Sequence, residues 1–185
     1  MSIAKQIEEY MTGASWIRKM FEEGTRLKAA HGAKNVFDFS LGNPNLPPPP
    51  EFREVLLDLV RSEARDVHGY MPNTGYPSVC GAVAGFLAAE QGAAVEASDV
   101  IMTCGAAGAL NIALKALLDP GDEVLAPAPC FVEYGFYADN HGGVLKTVAS
   151  RPDFQLDLTA LAAAVTPRTK VVLINSPNNP TGAVY

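Results

Sequence analysis

At 185 residues, 48% hydrophobic and 18% charged, the chain has the composition of an ordinary globular domain, which excludes disorder, collagen-like repeats and a coiled coil. Its 20 acidic and 14 basic side chains leave a net charge of -6, so neither a nucleic-acid backbone nor an anionic membrane is an expected partner. Cys80, Cys104 and Cys130 lie far apart with no CxxC pair, which points to a reducing compartment and away from zinc. The opening MSIAKQIEEYMTG breaks any signal-like apolar run with acids and a lysine, and no stretch reaches the ~18 apolar residues of a membrane span. The expectation is a soluble cytoplasmic protein.

Along the chain, Ile17, Met20, Phe21, Gly24 and Leu27 recur at spacings of three and four, which predicts an amphipathic helix from Ser15 to about Ala30, closed by His31-Gly32. A short alternating stretch, Asn35 to Leu41, precedes Gly42-Asn43-Pro44-Asn45. The prolines Pro47 to Pro50 make an extended connector, and the stripe of Phe52, Val55, Leu56, Leu59 and Val60 predicts a second helix after them. The turn-rich run from His68 to Pro77 leads into a small-residue helix from Ser78 to about Gln91. Beyond it, strand-like runs at Val100–Thr103, Glu123–Ala126, Val144–Val148 and Val171–Asn175 alternate with helical patterns at about 106–118, 130–141 and 158–165. Short apolar strands separated by helices predict an α/β fold with a parallel sheet.

Ligands of open α/β sheets bind beyond the carboxyl ends of the strands, and three loops there are unusual in composition. Thr103-Cys104-Gly105-Ala106-Ala107-Gly108 passes from strand to helix through residues with almost no side chain. A helix N-terminus so exposed offers free N–H groups and a favourable dipole to a phosphate. The same glycines equally serve tight strand-to-helix packing, and the pattern alone leaves both readings open. Ala126-Pro127-Ala128-Pro129-Cys130-Phe131 fixes its backbone with alternating prolines; Phe131 then either stacks on a flat heterocycle or, more commonly for Phe, packs in the core. Asn175-Ser176-Pro177-Asn178-Asn179-Pro180-Thr181-Gly182 is a rigid loop whose Asn175 and Asn179 amides either meet a ligand or cap a turn. His31, His68 and His141 have no spacing that suggests a metal site or a triad.

Taken together and in this order, these loops resemble the class I and II aminotransferases, fold-type I enzymes that use pyridoxal 5'-phosphate (PLP). The resemblance runs from Ser40-Leu41-Gly42-Asn43-Pro44 through Tyr70-Met71-Pro72-Asn73-Thr74-Gly75 and Leu118-Asp119-Pro120-Gly121-Asp122 to Asn178-Asn179-Pro180-Thr181-Gly182. It implies a large domain over 47–185, a mostly parallel sheet with helices on both faces, and an N-terminal helical segment over 1–46 that contributes to a small domain. It implies that Gly105, Ala106 and Ala107 cradle the PLP phosphate with backbone N–H groups. Phe131 resembles the ring that stacks on the pyridine, and Asn179 the asparagine that hydrogen-bonds its phenolic oxygen. Tyr70 is similar to a tyrosine that reaches the phosphate of the other subunit in a homodimer, and Gly42 to a glycine that admits the substrate. Ala107 departs from the family pattern, which often has Ser, Thr or Lys there.

The implied reaction moves an amino group from an amino acid to a 2-oxo acid. The alternatives are another fold-type I PLP reaction, such as a lyase or decarboxylase step, and a non-catalytic cofactor-binding or dimerising module. In the family the Schiff-base lysine, the acid at the ring nitrogen and the carboxylate-binding arginine all follow the Asn-Pro-Thr-Gly element, so no catalytic residue is assigned among the seven lysines present. The expectation is an N-terminal half of the family's length that folds poorly alone and is inactive alone. Val100–Thr103 is then left without a strand partner, and Val171–Asn175 forms an open edge. Ala128-Pro129 and Asn179-Pro180 are expected as cis peptides.

Overall fold

The computed structural model describes residues 3–13, 15–39, 42, 44, 46–62 and 68–185, with only the backbone at 12, 13 and 15–18. Two compact units are present, residues 1–67 and 68–185. The first holds helices α1 (Lys5–Gly13), α2 (Ser15–His31) and α3 (Pro50–Arg61), with a 3-10 turn at Ala33–Asn35. Helix α2 matches the predicted span to within a residue. Pro50 starts α3 because a proline at the first helical position has no N–H to leave unsatisfied. The α3 stripe of Phe52, Val55, Leu56, Leu59 and Val60 is exposed. Of the Gly42 motif, Ser40, Leu41 and Asn43 lie outside the described residues.

The second unit is α/β. Helices α4 (Pro77–Gln91) and α5 (Gly105–Leu117) precede strand β1 (Glu123–Ala128); α6 (Glu133–Asp139), β2 (Val144–Ala149), α7 (Leu158–Ala164) and β3 (Thr169–Val172) follow. All pairings are parallel, in the order β2-β1-β3. Central β1 is almost wholly buried, as its apolar run requires. Val124 and Ala126 join Leu114 of α5, Leu118 just past its end, Tyr134 and Ala138 of α6, and Leu173 in one core cluster. Leu125, only 1% exposed, points to the other face by strand alternation, and α7 packs on β1 and β2. Helices therefore cover both faces, as expected.

One predicted element does not form: Val100–Thr103 is extended but is not a strand. Its neighbours explain why. Among the described residues its backbone bonds are Val100 N–H to the Ala97 carbonyl, Met102 N–H to the Thr74 carbonyl at 2.9 Å and Gly105 N–H to the Thr103 carbonyl, all to turns, so it lacks a strand partner, as expected. The third strand starts two residues early and ends before the Pro-rich loop, leaving β3 at a sheet edge. No described helix is long and apolar enough to cross a membrane.

At the amino end of β1, Glu123 is a buried carboxylate, 6% exposed, that ties the strands together. It accepts hydrogen bonds from the Thr166 hydroxyl at 2.7 Å, the Thr169 hydroxyl at 3.1 Å and Arg168 at 3.3 Å, with Lys146 Nζ at 3.8 Å. The Thr166 bond, aided by Thr169, Lys146 and Arg168, holds its pKa below the ordinary value against the upward push of burial. A depressed carboxylate adds stability that is complete above the unfolded pKa, about 4.3, and is lost as pH falls through the lower folded value. Glu123→Gln is therefore expected to lower the melting temperature at pH 7 and to flatten the acid limb of the stability profile. Thermal melts at pH 7 and below pH 4 check it; parallel acid limbs contradict it.

Candidate functional site

The loop entering α5 is built around an inverse γ-turn. Cys104 has φ -78 and ψ 73, and the Gly105 N–H donates to the Thr103 carbonyl at 2.9 Å. Gly105 then takes φ +70, a region that favours glycine, and the Thr103 hydroxyl returns a 2.9 Å bond to the Gly105 carbonyl. No side chain caps this helix. The first-turn N–H groups of Ala106 and Ala107 have no intrahelical acceptor, and both residues are exposed. A Cβ built on Gly105 meets nothing within 4 Å. Of the three backbone donors expected at this terminus, the Gly105 N–H is thus engaged locally, and Ala106 and Ala107 supply the outward pair.

Connectivity sets where this terminus lies. The 118–122 turn joins the end of α5 to the start of β1, and Leu114 and Leu118 pack along Val124 and Ala126. Helix α5 therefore runs back along β1, which brings its N-terminus towards the carboxyl edge of the sheet, where the loops after β1 and β3 also begin.

Those two loops are joined by a residue that sequence reasoning passed over. Asn178 is 4% exposed, and its amide donates to the Pro129 carbonyl at 3.1 Å and to the Thr181 hydroxyl at 2.9 Å. Its backbone closes the turn as well, through bonds with Ala183 and Gly182. No local signal in the tandem Asn178-Asn179 tells which amide turns inward. Asn179 is the exposed one, with its backbone N–H on the Asn175 Oδ1 at 2.9 Å. Asn175 is thus the turn cap of the two candidate amides. Ala128-Pro129 and Asn179-Pro180 are cis, as expected, and so is Ser176-Pro177.

Phe131 is half-buried, meets Tyr134 edge to face at 5.7 Å and 81°, and packs on the core cluster with part of its ring exposed. Burial pushes the neighbouring Cys130 thiol above its ordinary pKa, so it remains protonated and apolar in behaviour. Burial, then Cys130 and Tyr137, raise Tyr134 likewise. Cys104, by contrast, is exposed. Tyr70 projects fully into solvent. It opens the loop whose Thr74 and Gly75 lie against Met102, two residues before the γ-turn. Gly42 is exposed and belongs to the first unit.

Comparison with known proteins accounts for the order of these loops. Residues 34–185 match the family model described as aminotransferase class I and II. The chain belongs to this family. It is 34% identical over 188 residues to the aspartate aminotransferase of Geobacillus stearothermophilus, a match that covers 100% of this chain and 46% of that protein. It is 37% identical over 116 residues to a probable aspartate aminotransferase of Methanocaldococcus jannaschii, covering 63% of this chain and 31% of that one. An aminotransferase structure from Eubacterium rectale superposes with a TM-score of 0.92 at 37% identity, over 100% of this chain and 47% of that one. The chain thus spans less than half the length of these relatives. For a family whose resemblance implies PLP, the donor set fits: an uncapped helix start offers two N–H groups to a phosphate, and the open space beside Gly105 admits it.

Proposed function

We propose that the protein is a PLP-dependent aminotransferase that moves an amino group from an amino acid to a 2-oxo acid. The observation that carries this reading is the convergence of the uncapped α5 N-terminus with the Pro129–Phe131 and Asn178–Gly182 loops at one sheet edge. In this reading Ala106 and Ala107 donate N–H groups to the phosphate, with Gly105 clearing the approach. The exposed part of the Phe131 ring covers one face of the pyridine, and the Asn179 amide donates to the phenolic oxygen. When bound, PLP supplies an electron sink for breaking bonds at the α-carbon of an amino acid. Asn178 keeps the two loops in register, so the ring and the amide keep their spacing.

The full exposure of Tyr70 supports its reaching a second subunit's phosphate in a homodimer. Gly42 is assigned to the substrate side, residues 1–46 to a small domain and 47–185 to the large one. The free cysteines and acidic balance support a cytoplasmic setting. The names of the relatives favour aspartate as amino donor.

The test uses the protein expressed from its own reading frame, supplied with PLP, a 2-oxo acid and single amino acids. Formation of the matching amino acid, with aspartate among the best donors, is the expected result. Release of ammonia or carbon dioxide without amino transfer sinks the proposal.

A further inference from the structure

Thr103 is bonded twice to the residue two places on. Its carbonyl accepts the Gly105 N–H at 2.9 Å, and its hydroxyl donates to the Gly105 carbonyl at 2.9 Å, so both backbone polar groups of Gly105 are held by one residue. The two bonds close a ring around Cys104 and fix Gly105 at φ +70. The Thr103 side chain is half-buried and seated against the first turn of α5: a Cβ on Gly108 would stand 3.6 Å from its Cβ and 3.8 Å from its Oγ1, ordinary contact distances. The hydroxyl bond is not needed to satisfy the carbonyl, because an α-helix gives a first-turn carbonyl a donor four residues on. Its consequence lies at the other end of the same peptide. The Gly105–Ala106 bond is trans, and in a trans peptide the C=O and N–H point in opposite directions. Drawing the carbonyl to Thr103 therefore turns the Ala106 N–H away from Thr103, and a carbonyl that accepts a hydrogen bond makes the N–H of its peptide a stronger donor.

We infer that Thr103 is a positioning residue for the cofactor phosphate: its hydroxyl sets the Gly105–Ala106 peptide so that the Ala106 N–H is presented outward and strengthened as a donor. The inference rests on the reading of the α5 start as the phosphate cradle. A helix whose first turn carries only alanine and glycine has no side chain of its own to fix the direction of that N–H, and Thr103 supplies the missing constraint from the preceding segment. Thr103 touches no cofactor atom in this account and acts through the Ala106 N–H alone.

Thr103→Val keeps the shape of the side chain and removes the hydroxyl, whereas Thr103→Ser keeps the hydroxyl; both are made in the protein expressed from its own reading frame. Before PLP is added, hydrogen exchange of the peptide covering 101–110 is expected to quicken in Thr103→Val, with the α6 peptide 133–139 unchanged and Thr103→Ser like wild type. PLP affinity is expected to fall about fivefold in Thr103→Val, the weakening of one hydrogen bond to a charged group, with the affinity for pyridoxal, which lacks the phosphate, unchanged. Thr103→Ser is expected to restore PLP affinity. Unchanged exchange at 101–110 in Thr103→Val overturns the hold on the turn. Quickened exchange with unaltered PLP affinity, or equal losses for PLP and pyridoxal, overturns the positioning role. A wild type that binds pyridoxal as tightly as PLP overturns the phosphate reading of α5 instead, and the exchange readout still decides whether Thr103 holds the turn.

Discussion

Asn178→Ala is expected to destabilise the protein by about 2–3 kcal/mol, because it removes two hydrogen bonds and leaves the Pro129 carbonyl without its donor. The residue is nearly sealed from water, so solvent is poorly placed to replace the lost amide. The loops after β1 and β3 then lose their tie, and cofactor affinity falls with stability. Asn179→Ala separates the two effects. Its side chain is exposed, so stability stays within about 0.5 kcal/mol of wild type. PLP binding weakens about tenfold for the loss of one hydrogen bond to a charged oxygen. Urea denaturation with equal slopes and a PLP titration on both variants check the contrast; equal stability losses contradict it.

Gly75→Ala is expected to cost about 2–4 kcal/mol through two mechanisms that act together. Its φ of +108 is a backbone region side chains rarely adopt. The added methyl also falls 2.7 Å from Met102 Cγ and 2.9 Å from its Cβ, with Cys80 Sγ at 3.4 Å. Met102 cannot retreat freely, since its N–H is bonded to Thr74. The strain passes to Thr103 and the γ-turn at Cys104, so PLP affinity falls as well. Gly92→Ala is the control: φ is +64 there but nothing lies within 4 Å, which leaves only the backbone cost of about 1 kcal/mol. Similar losses in the two variants, measured by thermal melts, contradict the packing argument.

Helix α2 was legible because its apolar spacing follows the helix period, and the strands and later helices because short apolar runs alternate with helical patterns; α4 was legible from its small residues between turn signals. Val100–Thr103 reads as a strand by the same rule but is not one, because a strand requires a partner as well as a pattern, and its described neighbour is the turn around Thr74. Within the site, the small residues from Gly105 to Gly108 signalled a bare strand-to-helix turn, while leaving the phosphate and packing readings both open. That the Gly105 N–H itself is spent on Thr103 was not legible, since a γ-turn has no residue signature. Asn178 was hidden for a related reason: a buried amide and an exposed one look alike in a run of turn residues, and only the carbonyl of Pro129, 49 residues away, distinguishes them.

The central claim is that a phosphate is held by the bare N-terminus of α5, and Ala107→Glu tests it most directly. Position 107 is exposed and lies in the first helical turn, where a glutamate favours the helix, so the fold is preserved. If the phosphate is held there, the new carboxylate would lie close to it, and two like charges about 4 Å apart repel by several kcal/mol at an effective dielectric near 20. The measurement is the affinity of wild type and Ala107→Glu for PLP and for pyridoxal, which lacks the phosphate. The expected result is a loss of at least about tenfold in PLP affinity with pyridoxal affinity unchanged. Equal PLP affinity in the two proteins contradicts the account.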